Sequence, residues 1–334
     1  MKKLSKGVAA LGLAAALAGC TVGGGTAASS KKSDSSQAEK SDYMIGVIQL
    51  VTHPALDAAT NGFVDTLKAD LNLTDENFDI QNAAGEAATC SSIATALVQE
   101  NCDLILANAT ASLQAAASAT STIPVLGTAV TEYGTALDIE DFDGTVGTNV
   151  SGTADLAPLD QQAAMFDELL PDAKKIGILY CSGEPNSVYQ AKVVKEALEK
   201  NGKTVETYTF ADTNDVAQVT KTACDESDAL YIPTDNTAAS CTEAIDSVAS
   251  QAGTPIIAGE EGIMSGCGIA TLSIDYYQLG VTTAKMAEKI LSGEKKVSEM
   301  PIEFYDNPVK EYDADRCEKL GIKVPSDYTA YSAD

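Results

Sequence analysis

Carboxylate and amide side chains lie in two loops that follow predicted strands, where they could hold a ligand that carries a positive charge. Asp235 and Asn236 directly follow one apolar run, and Glu184, Asn186 and Ser187 follow another. A carboxylate can accept a hydrogen bond from an ammonium group and balance its charge. Asp235 and Asn236 are equally suited to capping a helix, and Glu184 and Asn186 to a solvated turn, because these residue types favour such positions for local reasons. The sequence leaves both interpretations open.

Two further acidic positions are candidates for the same site. Glu260 and Glu261 are adjacent after another apolar run, so we expect only one of them to point inward and choose Glu260. Asp275 occupies an equivalent loop after the last apolar run. Both residues would add acceptors for a cationic group.

A carboxylate on the same ligand would need a different kind of partner. The chain has a single arginine, Arg316, close to its C-terminus. A guanidinium clamp is therefore not expected, and hydroxyl and backbone N–H groups must serve instead. Thr110 and Ser112, at the start of a predicted helix, are the best candidates, although either hydroxyl could act only as a helix cap.

Aromatic side chains that could line a pocket lie in the same set of loops. Tyr276 is our first choice, and Tyr277, Tyr133 and Tyr189 are further candidates for an aromatic wall. His53, the only histidine, follows the first predicted strand. It could stack on or hydrogen-bond a ligand, or it could merely orient the following turn.

The alternative of an enzyme rests on Cys181 and His53, which could meet across a cleft as nucleophile and base. The sequence has no GxSxG, HExxH or cysteine-protease signature, and a cysteine at a strand end is typical of a small buried side chain. We therefore expect no catalysis and no cofactor. The seven cysteines after Cys20 have no metal-site spacing, so no metal site is expected either.

Short apolar runs alternate with helical patterns along the body of the chain. The runs are Met44 to Leu50, Asp103 to Ala107, Pro124 to Gly127, Lys175 to Tyr180, Ala229 to Pro233, Pro255 to Gly259 and Gly268 to Ser273. Pro54 to Leu71 and Val188 to Asn201 each place apolar residues on one helical face. This alternation predicts an α/β fold with parallel sheets and crossover helices.

The chain also repeats itself. Residues 45–68 and 176–200 share a strand, a loop and a helix, and two later segments match in the same way. We therefore predict two similar Rossmann-like lobes, the first with residues 43–154 plus about 274–300 and the second with 155–273 plus about 301–325. Ligands of open α/β sheets bind beyond the carboxyl ends of the strands, so the candidate loops should face one cleft that closes on a small solute.

The N-terminus has the pattern of an export signal. Three lysines precede an apolar run that ends in Leu-Ala-Gly-Cys, which predicts a signal peptide (1–19), a lipidated Cys20 and a flexible tether (20–42). Loss of the signal would take the formal charge from −26 to −29, which argues against nucleic acid or an anionic membrane as a partner. We expect a monomer outside the cytoplasm that a lipid, such as palmitate, anchors to the cell membrane.

Five strings in order carry a family resemblance: HPALDAA (53–59), EPNSVYQ (184–190), PTDNT (233–237), IAGEEG (257–262) and IDYYQLG (274–280). From about residue 44 to 325 the chain resembles the ABC-type solute-binding proteins associated with tryptophan and tyrosine uptake. The resemblance implies a periplasmic-binding-protein-like type I fold with three crossings between the lobes, a permease and an ATPase as partners, and an aromatic or other hydrophobic amino acid as ligand. Glu132-Tyr133-Gly134 and Pro185 depart from the family pattern near the cleft. A sugar, a nucleoside or a signal molecule for a sensor remains the alternative ligand.

Overall fold

The computed structural model describes residues 43–305 and 307–332. The predicted signal peptide, Cys20 and the tether lie outside the described residues. The first part of the described chain contains β1 (Ile45–Gln49), α1 (Pro54–Leu71), β2 (Phe78–Asn82), α2 (Ala87–Gln99), β3 (Leu104–Asn108), α3 (Thr110–Ala119), β4 (Val125–Val130), α4 (Tyr133–Leu137) and β5 (Val150–Ala154).

The middle and the end of the chain continue this alternation. The middle contains α5 (Leu159–Leu169), β6 (Lys175–Cys181), α6 (Pro185–Lys200), β7 (Thr204–Phe210), α7 (Val216–Glu226), β8 (Ala229–Ile232), α8 (Asn236–Ala239), α9 (Thr242–Ala252), β9 (Ile256–Ala258), α10 (Glu261–Cys267) and β10 (Ala270–Ser273). The end contains α11 (Tyr276–Leu291), β11 (Glu303–Phe304), β12 (Val309–Tyr312), α12 (Ala314–Leu320) and β13 (Thr329–Ala330). Short 3-10 turns lie at Asp75–Asn77 and Val297–Glu299.

The strands form two sheets, one in each lobe. The first sheet has the order β11-β5-β4-β3-β1-β2 and is parallel throughout. The second has the order β13-β12-β10-β9-β8-β6-β7 and is antiparallel only between β10 and β12. The predicted α/β class with two parallel-sheet lobes is thereby confirmed.

Both faces of the central strands are buried, which explains their nearly continuous apolar sequence. In β3, Leu104 and Leu106 belong to one hydrophobic cluster, whereas Ile105 and Ala107 belong to the cluster on the opposite face. Successive side chains of a strand point to opposite faces, and helices cover both faces of a parallel sheet. An uninterrupted apolar run is therefore the pattern that this kind of strand requires.

The chain crosses between the lobes three times: after β5, after β10 and after β11. The last crossing differs from the predicted boundary near residue 301. Glu303 and Phe304 still pair with Thr153 and Ala154 of the first sheet, so the chain leaves the first lobe only between β11 and β12. A two-residue edge strand has too short a pattern to be recognised in sequence.

Helix α11 returns to the first lobe and packs closely on α1 through two glycines. A methyl group at Gly280 would lie 2.1 Å from the carbonyl oxygen of Ala59, and one at Gly62 would lie 2.1 Å from that of Tyr277. Only residues without a Cβ permit this approach of two backbones. The pair fixes the start of α11, and hence the second crossing, against the first lobe.

Within residues 43–305 and 307–332, no helix has both the length and the hydrophobicity needed to cross a bilayer. In the same part of the chain no cluster of side chains has the geometry to hold a metal ion. The seven cysteines in it carry free thiols.

Candidate ligand-binding cleft

A small closed cavity lies between the lobes, at the carboxyl ends of their strands. Its lining comprises His53, Ala55, Leu56, Asp155, Thr234, Asp235, Asn236, Ala239, Glu260 and Tyr276. Five of the predicted site residues are therefore brought together here, as expected for an open α/β fold. The cavity measures about 10 Å³, enough for about one water molecule. An amino acid can enter only if the lobes separate.

A hydrogen bond joins the two lobes across this cavity. His53 Nε2 lies 3.2 Å from Asn236 Oδ1, so the loop after β1 contacts the loop after β8. Burial lowers the pKa of His53, which favours the neutral ring. The other ring nitrogen, Nδ1, is buried without a hydrogen-bond partner among the described residues.

Asp235 caps the short helix α8 from a fully buried position. Its Oδ1 accepts from Ala238 N–H at 2.8 Å, and its Oδ2 accepts from Cys181 N–H at 2.7 Å. Burial and the nearby charge of Glu184 raise the pKa of Asp235 to about 8. Both oxygens thus serve the backbone, which is the capping role that the sequence left open.

Glu184 holds together the same region of the second lobe, which we call the second-lobe corner: the loop after β6 and the start of α8. It accepts from the backbone N–H groups of Asn236 (3.0 Å) and Thr237 (2.8 Å) and from both of their side chains. Asn186 donates to Glu184 and to the carbonyl oxygen of Thr234, which Ser187 also approaches at 3.5 Å. The predicted cluster therefore forms, but its members bind mainly one another.

Glu260 is the buried member of the adjacent glutamate pair and lines the closed cavity. Its two oxygens accept from the N–H groups of Gly262 and Ile263, each at 2.6 Å, and so cap α10. Burial raises the pKa of Glu260 to about 7.

Asp155, which sequence reasoning used only as a lobe boundary, is part of the cavity wall. It follows β5 at the first crossing and is buried. The hydroxyl of Tyr276, just past the second crossing, donates to Asp155 Oδ2 at 3.0 Å, whereas Oδ1 has no partner among the described residues. Burial raises the pKa of Asp155. The available signal was an acidic residue at the end of a strand, but β5 (VSGTA) is too small and polar to stand out as a strand.

The six other predicted site residues do not line the closed cavity: Glu184, Asn186 and Ser187, described above, and Thr110, Ser112 and Asp275. Thr110 begins α3 and is buried, and Ser112 Oγ approaches the Cys90 thiol at 3.6 Å inside the first lobe. Asp275 is exposed and caps α11 through Gln278 N–H. Ser112 is enclosed where α3 packs against α2, and its hydroxyl points to Cys90 instead of the cavity.

The remaining tyrosines are divided between the lobes and the hinge. Tyr133 is buried in the first lobe and donates to the carbonyl oxygen of Thr153 at 3.0 Å. Tyr189 packs against a core cluster of the second lobe, and Tyr277 is 39% exposed. Of the four tyrosines considered for an aromatic wall, Tyr276 lines the closed cavity and Tyr133, Tyr189 and Tyr277 do not.

A larger cavity of about 370 Å³ lies beside the second and third crossings and shares Ala55 and Tyr276 with the closed one. It is lined by Pro54, Ala55, Ala58, Glu261, Gly262, Ser273, Ile274, Asp275, Tyr276, Tyr277, Tyr305, Asn307, Val309 and Glu311. Burial raises the pKa of Glu311 to about 7 and also raises that of Glu261. The hinge region is therefore acidic and rich in tyrosine.

The Cys181 and His53 pair does not form a nucleophilic site. The Cys181 thiol is buried and lies 3.7 Å from the carbonyl oxygen of Ala211, and burial raises its pKa. His53 contacts Asn236 instead. A protonated, enclosed thiol is a poor nucleophile.

The fold and the cleft define a two-lobed binding protein, and comparison with known proteins identifies its family. The family model of ABC transporter substrate binding proteins matches residues 44–334, so the chain belongs to this family of binding proteins, which are not enzymes and are extracytoplasmic. A "Tyrosine-binding protein" of Clostridioides difficile (strain R20291) is 36% identical over 330 residues, covering 95% of this chain and 94% of the relative.

Two solved structures are similar over most of both chains. The ABC domain of Streptococcus pneumoniae in complex with L-Trp is 32% identical, has a TM-score of 0.81, and covers 86% of this chain and 97% of its own. The ligand-free, open structure of a substrate-binding protein with adhesive properties from Clostridium difficile is 37% identical, with a TM-score of 0.66, covering 87% and 100%. These relatives have the periplasmic-binding-protein type I fold, which confirms that prediction.

Proposed function

We propose that this protein is the solute-binding component of an ABC importer and that it captures an aromatic amino acid between its two lobes. The observation that carries the proposal is the closed cavity, whose polar lining comes from both lobes and from the crossings between them. The relatives support the ligand class, since one is named a tyrosine-binding protein and another binds L-Trp.

The arrangement of the lobes supports capture by closure. The TM-score of this chain is higher with the L-Trp complex than with the open, ligand-free structure, although its sequence identity is higher with the open structure. Rotation about three short crossings opens a cleft while each sheet stays intact. Closure then encloses the ligand and presents a different surface to the permease.

Delivery would take place at the outer face of the membrane. In this proposal Cys20 carries the lipid anchor, residues 20–42 form the tether, and a permease with its ATPase receives the ligand. The binding protein itself works as a monomer, without a cofactor or nucleic acid.

Isothermal titration of the purified protein with L-tyrosine, L-tryptophan and L-phenylalanine tests the proposal, after unfolding and refolding to remove bound ligand. We expect saturable binding of at least one of them. The chain has no tryptophan, so the emission of bound L-tryptophan can be followed without background from the protein. Binding of sugars or nucleosides without any aromatic amino acid would contradict the proposed ligand class.

A further inference from the structure

We propose that Asp155 accepts the charge of the ligand's ammonium group and that His53 Nδ1 accepts a second hydrogen bond from the ligand beside it. The inference deepens the proposed function and rests on it, since it assumes an amino acid in the cleft. It assigns the ammonium to the first crossing between the lobes and not to Asp235 of the second lobe.

Among the carboxylates that line the closed cavity, the existing hydrogen bonds favour Asp155 as the partner of an ammonium group. Asp155, Asp235 and Glu260 are the carboxylates around the closed cavity. Each oxygen of Asp235 and of Glu260 already accepts a backbone N–H group at 2.6 to 2.8 Å. An ammonium that displaced these donors would leave helix N–H groups unsatisfied in a buried site. Asp155 Oδ1 has no donor within hydrogen-bond geometry among the described residues, and the nearby Thr131 hydroxyl only partly offsets the effect of burial on this carboxyl, whose pKa stays raised.

The hydrogen-bond network also determines whether His53 Nδ1 is a donor or an acceptor. Asn236 Nδ2 donates to Glu184 Oε2 at 2.7 Å, so the other amide atom, Oδ1, must face His53. An amide oxygen accepts only, so His53 Nε2 carries the proton and donates to it. In a neutral ring Nδ1 is then an acceptor, and it is buried without a donor in the described part of the chain.

The two residues that carry these buried acceptors line one cavity, and neither acceptor has a donor among the described residues. A desolvated acceptor without a donor costs free energy, so the site favours a ligand group that offers several hydrogens. An ammonium offers three, whereas a carboxylate offers none. No lysine or arginine lies among the residues that line this cavity in the described chain. The cavity therefore selects the amino end of the ligand.

The position of Asp155 links this contact to the hinge. Its main chain follows β5 at the first crossing, and its Oδ2 accepts from Tyr276, which follows the second crossing. A ligand ammonium on Oδ1 would thus be joined to two of the three connections between the lobes. Binding energy at this atom acts directly on the segments that change when the lobes close.

The test compares amino acids with analogues that lack only the amino group. L-tyrosine and L-tryptophan are titrated into the purified full chain alongside 3-(4-hydroxyphenyl)propionate and indole-3-propionate. We expect the unmodified protein to prefer the amino acids by about 100-fold or more. In Asp155→Asn this preference should fall to about threefold or less, because affinity for the amino acids drops while affinity for the analogues changes little.

The control is Asp160→Asn, which alters an exposed aspartate five residues farther along the chain, and it should keep the full preference. If Asp155→Asn does not fold, Tyr276→Phe is the second test of the assignment. Loss of the hydroxyl that donates to Asp155 Oδ2 should reduce the preference for the amino acids by about fivefold. A preference that is unchanged in whichever of the two variants folds overturns the assignment. Failure of the unmodified protein to bind any aromatic amino acid would instead overturn the proposed function.

Discussion

The loops on the two sides of the cleft occupy equivalent places in the internal repeat, yet they use their polar groups differently. In the second lobe the carboxylates of Glu184, Asp235 and Glu260 are occupied by backbone donors of the same lobe. His53 at the start of α1 and Asp155 at the first crossing each keep a buried acceptor that has no donor in the described part of the chain. An acidic residue after a strand can therefore stabilise the backbone of its own lobe, as Asp235 does, or keep an acceptor for a ligand, as Asp155 does.

The largest effect should come from removing the carboxylate on which the second-lobe corner depends. Glu184→Ala leaves the N–H groups of Asn236 and Thr237 without their acceptor, so we expect the free energy of unfolding to fall by about 3 kcal/mol. Chemical denaturation measures this loss. The matched control is Glu132→Ala, which uncaps α4 in the first lobe and should cost about 1 kcal/mol. Equal losses would show that the second-lobe network has no special role.

The same contrast explains how much of the fold could be predicted from the sequence. The central strands were recognised because burial on both faces demands an apolar run, as in β3 and β8. The edge strands β2 and β7 were missed because exposed and half-buried polar residues interrupt the apolar pattern of both. Strand β5 was missed for a different reason: it is buried, but it consists of small and hydroxyl-bearing residues.

For related reasons, some residues of the candidate site could be predicted from the sequence and others could not. His53, Asp235, Asn236, Glu260 and Tyr276 lie around one cavity because the rule about the carboxyl ends of strands is a rule of topology. The sequence could not reveal which of them keep a free atom, since that depends on hydrogen bonds between distant loops. Asp155 was missed together with β5, the strand that it follows.

The second-lobe carboxylates should also make stability depend on pH. Burial raises the pKa of Glu260 from an ordinary 4.5 to about 7, so the folded protein holds this proton more tightly than the unfolded chain. The resulting stabilisation is fully present below pH 4.5 and is lost as the pH rises through 7. Between pH 5 and 8 we expect the titration of Glu260 to lower the free energy of unfolding by an amount on the order of 2 kcal/mol.

Denaturation of Glu260→Gln across the same pH range isolates this contribution, because the amide does not titrate. Its stability should fall less steeply with pH than that of the unmodified protein, whatever its absolute value. Glu243→Gln, at an exposed position of α9, serves as the control and should keep the original slope. A slope that Glu260→Gln leaves unchanged would show that Glu260 does not hold its proton more tightly in the fold.

The smallest effect should be confined to the cleft, where a hydrogen bond from His53 to Asn236 joins the lobes. His53→Phe keeps a ring of similar shape but removes Nε2 and Nδ1, so we expect affinity for the aromatic amino acid to fall about tenfold. The free energy of unfolding should change by less than about 1 kcal/mol, because the lost bond lies between the lobes and not within either core. Titration and denaturation measure the two quantities separately. The control is Thr52→Ala, which removes only an exposed hydrogen bond from Asn82 and should leave the affinity unchanged. A loss of stability without a loss of affinity would place His53 among the residues that build its loop, as in the second lobe.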